Sequence, residues 1–221
     1  MHIGIITYHR VRNYGSVLQA YALQKYLQNC GHDVQIISYF PDFHSTKREF
    51  LGTPEGSIVK KAIYVIFSFP IRLKVYNVYK RFRNSYLQLT DTQYRTVSDF
   101  HTYPLNMDAY ITGSDQVWNS RYNFCGPENG YPYYLDFTKD EEKRISYAAS
   151  FGEESLQPEN NPVVCELIRR YDSLSVREQS GIRKIESMGR NDAVHVLDPT
   201  FLLNKDDWSK LTGAAPVRGR Y

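Results

Sequence analysis

The opening of the chain constrains its fold more than any other segment. Residues 3–7 (IGIIT) are a short apolar run, followed by the polar stretch HRVRNYG. From Ser16 to Asn29, Val17, Leu18, Tyr21, Leu23, Tyr26 and Leu27 recur at i, i+3, i+4 spacing, which predicts a helix. Gly31 stands where a glycine commonly closes a helix, and Val34 to Ile37 is the next apolar, β-branched run. A strand–helix–strand unit of roughly 35 residues is what a parallel crossover requires.

The pattern recurs downstream. Ala109 to Thr112, Ile145 to Ala148, Leu174 to Val176 and Val194 to Leu197 read as strands. Val163 to Arg170 and Glu178 to Met188 read as helices. Such alternation predicts an α/β fold: a Rossmann-like, mainly parallel sheet with helices on both faces. Residues 42–100 interrupt it with ten Lys and Arg against five Asp and Glu, a net +5 where the whole chain has +3. Residues 57–87 within them look helical, and the segment is read as an inserted helical excursion. The main domain is expected to span 1–203. Residues 204–221, with one short helix at Asp206 to Leu211, are expected to be a linker or the start of a further domain.

Hydrophobic content of 42% and charged content of 23% suit a globular chain. The mild net charge does not suggest a nucleic-acid partner. Cys30, Cys125 and Cys165 are too scattered for a disulfide framework or a zinc site and suit a reducing cytoplasm. MHIGIITYHR does not read as a signal peptide. The longest greasy stretch, Ala62 to Phe69, is far shorter than the roughly 20 residues of a membrane span. Two readings stand for it: a buried or lid helix, or a basic helix resting on a membrane. The nineteen tyrosines fit either carbohydrate handling or an aromatic core.

Ligands in open α/β sheets bind beyond the carboxyl ends of the strands. That rule selects six loops, at 8–15, 38–46, 113–120, 149–153, 177–181 and 198–201. In the first, Asn13, Tyr14 and Gly15 stand where a helix begins, suited either to an anion or to a plain capped turn. In the third, Ser114, Asp115, Gln116 and Trp118 follow a strand. Asp115 can accept from a sugar diol or act as a base. Trp118 can stack on a sugar ring or fill the core. Arg177 can grip a carboxylate or phosphate two-pronged, or pair with a neighbouring acid. Asp198-Pro199 reads as a structural turn, and His9 is the one histidine near a candidate loop. No motif here has metal-ligand spacing, and no G-x-G-x-x-G or G-x-S-x-G is present.

Taken in order, several of these segments resemble one family, the polysaccharide pyruvyl transferases. The segments are Asn13 to Leu23 (NYGSVLQAYAL), Ile111 to Asn119 (ITGSDQVWN), Lys143 to Gly152, Leu174 to Gly181 and Val196 to Leu203. The resemblance covers residues 3–203. It implies the N-terminal half of a two-domain GT-B-type transferase; the cytoplasm is the expected compartment, with the inner face of the membrane as the place if the basic helix rests on lipid. It also implies transfer of a pyruvyl group from phosphoenolpyruvate to a sugar hydroxyl pair of a glycan or lipid-linked acceptor, giving a ketal. No cofactor or metal is implied. Arg177 would contact the donor and Asp115 would be one of the cleft-lining residues; on the reading of the residues themselves, Asp115 and Arg177 are the catalytic candidates. Asn13, Tyr14, Gly15, Ser114, Gln116 and Trp118 would line the cleft. The family's catalytic histidine and a further basic residue would lie past residue 221, so this chain alone is expected to be inactive. A nucleotide-sugar glycosyltransferase of the same architecture and a non-catalytic glycan- or partner-binding module are the competing readings.

Overall fold

The structure, a computed structural model, describes residues 1–41, 58–122 and 127–211. Five parallel strands, β1 (His2–Ile6), β2 (Asp33–Tyr39), β3 (Leu89–Tyr94), β4 (Ala109–Thr112) and β5 (Lys143–Ser146), lie in the order β3-β2-β1-β4-β5. Ile5 faces Ile36 on one neighbour and Ile111 on the other, so the opening apolar run is the centre of the sheet. A parallel pair, β6 (Ser175–Val176) and β7 (Val194–His195), continues from β5 through bridges Ile145–Ser173 and Ala149–Val176. The chain thus has the Rossmann-like α/β architecture that its strand–helix alternation predicts.

Successive strand residues point to opposite faces of a sheet, and the core divides accordingly. Ile5, Ile36 and Ile111 pack with Ala20 and Leu23 of α1 (Tyr14–Asn29). Their neighbours Ile6, Ile37 and Tyr110 pack on the other face. There they meet Phe100 of α3 (Val97–Thr102), Ile168 of α4 (Pro162–Arg169) and Ile185 of α5 (Gln179–Ser187). Between α1 and α3 runs the long helix α2 (Ile58–Tyr86). Much of the tyrosine content belongs to this core: Tyr39, Tyr94, Tyr133 and Tyr171 are all buried. Tyr39 Oη donates to the Asn129 carbonyl at 2.8 Å and Tyr94 Oη to that of Tyr103 at 3.0 Å, so these two polar tips are satisfied while their rings stay dry, whereas Tyr171 Oη is buried with no hydrogen-bond partner among the described residues.

Local signals fix the helix ends. Asn13 is extended and accepts from Ser16 N, starting α1, and Gly31 at φ 86° carries the chain out of it. Asn161 caps the first two free amides of α4, with Pro162 at the first helical position.

The structure bears on two expectations. The segment 42–100 is not helical throughout: Leu89–Tyr94 is a strand of the central sheet. Its sequence LTDTQY is polar because it lies at the edge, with only Thr90 and Tyr94 buried. Residues 42–57 lie outside the described residues. Second, residues 204–211 pack against the main domain. They contain α6 (Lys205–Ser209), whose Trp208 lies 6.0 Å from the Tyr21 ring of α1. The remainder of that segment, 212–221, is outside the described residues. Among the described residues no helix is long and apolar enough to cross a membrane.

Ile5 is fully buried at the centre of the sheet. Ile5→Ala is expected to lower stability by about 2–5 kcal/mol, read as a shift in the urea midpoint with an unchanged slope. A loss below about 0.5 kcal/mol would show that β1 is not central to the fold.

Candidate functional site

The strand order reverses between β1 and β4: one crossover from β1 leads to β2 on its left, and the chain later returns to β4 on its right. At such a reversal the loops diverge and leave a crevice at the carboxyl ends of the strands. The two loops beside it are 7–15 and 113–120, which hold most of the expected site residues.

The floor of the crevice is a buried polar lattice. Gln19, one turn into α1, donates through Nε2 to Thr7 Oγ1 at 2.9 Å and to the Ser16 carbonyl at 2.8 Å. Its Oε1 accepts from Ser114 N at 3.1 Å. Thr7 Oγ1 donates in turn to the Ser114 carbonyl at 2.9 Å. Gly113 has φ 109°, and a Cβ there would lie 2.3 Å from the Tyr147 carbonyl oxygen, so a side chain at this position cannot be accommodated. Asp115 follows with φ 78° and places one carboxylate oxygen on Ser16 Oγ. The other accepts from Gln116 N at 2.8 Å. The anion at the first turn of α1 is therefore the protein's own Asp115, where the helix dipole favours negative charge.

Arg177 reaches the same rim from the end of β6. Its Nη1 donates to Asp198 Oδ2 at 3.2 Å and its Nε to Glu178 Oε1 at 3.2 Å. Asp198 lies 3.4 Å from Ser114 Oγ, and Glu178 accepts from Ser150 Oγ at 2.7 Å. Burial works against the Arg177 charge, but Glu178, Asp115 and Asp198 outweigh it and raise its pKa above the ordinary arginine value. A guanidinium has five N–H donors, and no hydrogen bond engages Arg177 Nη2 among the described residues. The acids hold the fork in place while leaving donors for an incoming anion. Three carboxylates therefore surround this one guanidinium.

The structure thus brings Asn13, Ser114, Asp115, Gln116 and Arg177 to one edge. Asn13 acts as the helix cap, and Tyr14 is exposed on the flank with its ring 5.2 Å from that of Tyr79. Gly15 lies beside them, and its exposed backbone lies next to Asn13 Oδ1. Trp118 needs correction. It is 1% exposed, stacks on Tyr134 at 5.5 Å and donates from its indole to the Tyr133 carbonyl at 3.0 Å. An indole so enclosed anchors the loop from beneath and presents no face to a sugar. Ser16, Gln19 and Ser150 were missed by sequence reasoning, and Glu178 is the neighbouring acid that the sequence offered as a partner for Arg177. Asp198, expected to be only structural, both caps the turn through Thr200 N at 2.9 Å and holds Arg177. The signal of the missed residues was weak because single Ser and Gln residues carry no spacing pattern.

A sequence profile described as polysaccharide pyruvyl transferase matches residues 13–220, nearly the whole chain. The chain belongs to this family. The match begins at Asn13, the cap of α1, and includes the whole rim from Asp115 to Asp198. No curated protein and no solved structure matches the chain. Among the described residues of this pyruvyl transferase relative, no cluster of three His, Cys, Asp or Glu could hold a metal ion.

His9 stands at the carboxyl end of β1 and is 1% exposed. Its Nδ1 lies 3.1 Å from the Thr7 carbonyl, which can only accept, so Nδ1 carries the proton. Its Nε2 is buried with no hydrogen-bond partner. Burial first, and then Arg10 and Arg83, lower its pKa from 6.5 to about 4, against the pull of the Thr7 carbonyl. Between those values the unfolded chain binds a proton that the folded chain refuses, so stability falls as pH drops through the window. Asp136, raised by burial from 3.8 to about 6, acts oppositely: its contribution favours folding at low pH and is lost as pH rises through 6. A comparison of variants separates the two. Between about pH 7 and pH 4.5, His9→Gln should lose about 2 kcal/mol less stability than the parent in urea titrations. Equal losses would show that His9 is not held neutral.

Proposed function

We propose that this chain is the donor-side, N-terminal half of a GT-B-type enzyme that transfers a pyruvyl group from phosphoenolpyruvate to two hydroxyls of a glycan. Family membership supports a polysaccharide pyruvyl transferase in general. The observation that carries the finer reading is the rim itself, where Arg177 is fixed by two carboxylates beside Asp115 and Ser114 at the carboxyl ends of β4 and β6.

The chemistry sets clear demands. Protonation of the enol CH2 of phosphoenolpyruvate makes its C2 electrophilic. A sugar hydroxyl oxygen bonds to C2 and loses its proton, the C2–O bond to phosphate breaks, and the second hydroxyl closes the ketal on C2 with loss of its own proton. Of the two protons released, one replaces that consumed at CH2 and the other leaves on phosphate. Phosphate gathers charge as it leaves, and a positioned guanidinium stabilises that charge better than mobile water does. Arg177 suits this task through its remaining N–H donors, which match a phosphate or carboxylate edge. Asp115 suits the acceptor side, where a carboxylate orients a hydroxyl and takes its proton. A doubly anionic donor is not neutralised by Arg177 alone among three carboxylates. Further cations are required, and a second domain facing this rim would supply them. For the same reason, residues 1–221 by themselves are expected to lack turnover. The acceptor glycan is met in the cytoplasm in this reading.

Phosphoenolpyruvate is expected to raise the thermal unfolding temperature of the full-length gene product, whereas UDP and GDP are not. Protection by a nucleotide instead would favour the glycosyltransferase reading, and protection by none would favour a non-catalytic module. Arg177→Lys retains the charge but loses the fork, and should raise the KM for phosphoenolpyruvate by about ten- to a hundredfold. An unchanged KM would remove Arg177 from the donor site. Asp115→Asn should reduce acceptor turnover while leaving phosphoenolpyruvate protection intact. An unaltered acceptor profile would leave Asp115 as a cap for α1 only.

A further inference from the structure

The most unusual surface of the molecule is the projecting part of α2. From Tyr64 to Val78 none of the residues whose burial is described is buried. Yet this stretch is strongly apolar: Phe67 is 76% exposed, Ile71 68% and Ile66 67%, with Phe69 and Leu73 also exposed. Ile66, Phe69 and Leu73 recur at i, i+3, i+7, and Phe67, Ile71 and Val75 at i, i+4, i+8 on a different side. An exposed apolar surface of this extent marks an interaction site. The same helix carries Lys60, Lys61, Arg72, Lys74, Lys80 and Arg81 and no acidic residue.

A second observation lies at its base. An apolar groove of about 350 Å³ opens between Val17 and Leu18 of α1, Val78 and Phe82 of α2, and Trp208 and Leu211 beside α6. The groove continues the exposed apolar surface toward Tyr14, on the flank of the candidate site.

We propose that the projecting part of α2 docks on an anionic lipid surface, its apolar residues entering the boundary between headgroups and acyl chains and its cations meeting lipid phosphates. Charge decides between occupants. Two copies of α2 packed together would set cations against cations with no acids in either helix to relieve them. A lipid surface with negative headgroups complements both the charge and the aromatic and aliphatic side chains. The groove then lies between that surface and the rim and offers an apolar path for the lipid tail of an acceptor. The inference deepens the reading above by stating where the acceptor is met, but membrane docking does not depend on which donor is used.

Co-sedimentation of the full-length protein with vesicles tests it. Binding is expected to vesicles of phosphatidylcholine and phosphatidylglycerol in equal parts, and not to phosphatidylcholine alone. A Lys74→Glu, Lys80→Glu, Arg81→Glu variant should bind the anionic vesicles about a hundredfold more weakly. An Ile66→Ser, Phe69→Ser, Leu73→Ser variant should lose about tenfold or more. These side chains are exposed, so both variants should keep the parent's unfolding temperature. No sedimentation with anionic vesicles overturns the proposal, as does undiminished binding by the charge-reversed protein. A concentration-dependent dimer in ultracentrifugation, abolished by the serine substitutions while vesicle binding is absent, would assign the surface to a second copy. Loss of vesicle binding with phosphoenolpyruvate protection intact would overturn the membrane contact alone. The converse would overturn only the donor.

Discussion

The rim depends on one buried amide. Gln19 satisfies Ser114 N through its oxygen and Thr7 Oγ1 and the Ser16 carbonyl through its nitrogen. It is 1% exposed, so without it Ser114 N would be left buried and unpaired, while Thr7 Oγ1 would keep its bond to the Ser114 carbonyl. An unsatisfied buried polar group costs about 1–3 kcal/mol, so the loop after β4 depends on this one amide. By joining the first turns of α1 to the ends of β1 and β4, Gln19 sets the spacing of the crevice. The position of the Asp115 carboxylate follows from that spacing.

The loop above this lattice gets its rigidity from below. Trp118 packs among Tyr134, Phe151 and Tyr171, with ring centroids at 5.5, 5.1 and 5.9 Å. Its amide donates to the Ser150 carbonyl at 3.1 Å, and Ser150 N donates to the Asp115 carbonyl at 3.0 Å. The loops after β4 and β5 are thereby joined to each other and to an aromatic core. Side chains held on rigid elements in this way can be aimed within tenths of an ångström, which transfer chemistry requires.

Electrostatics set the limit on what this face does unaided. Arg177 is strongly charged and well fixed, but Glu178, Asp198 and Asp115 surround it. Such an arrangement prevents the guanidinium from collapsing onto a single acid and keeps it ready for exchange. It does not by itself attract a dianion.

The amino-acid sequence alone determined the α/β class, because an apolar run, a 3.6-residue periodicity and a second apolar run leave a parallel crossover as the economical solution. It also marked the loop 113–120 and Arg177, since small residues and a lone cation directly after strands are unusual enough to notice. β3 was illegible because the inward positions of this edge strand are Thr90, Thr92 and Tyr94, so its buried face shows no aliphatic alternation. The fate of Trp118 was likewise undecided: an indole after a strand suits a sugar or a core equally, and only the surrounding Tyr134, Phe151 and Tyr171 chose the core. The pairing of Arg177 with Asp198, twenty-one residues away, needed β6 and β7 to lie side by side. Local periodicity is a property of neighbouring residues and survives in the sequence. Convergence of distant side chains is a property of the closed sheet, and it exists only once the chain has folded.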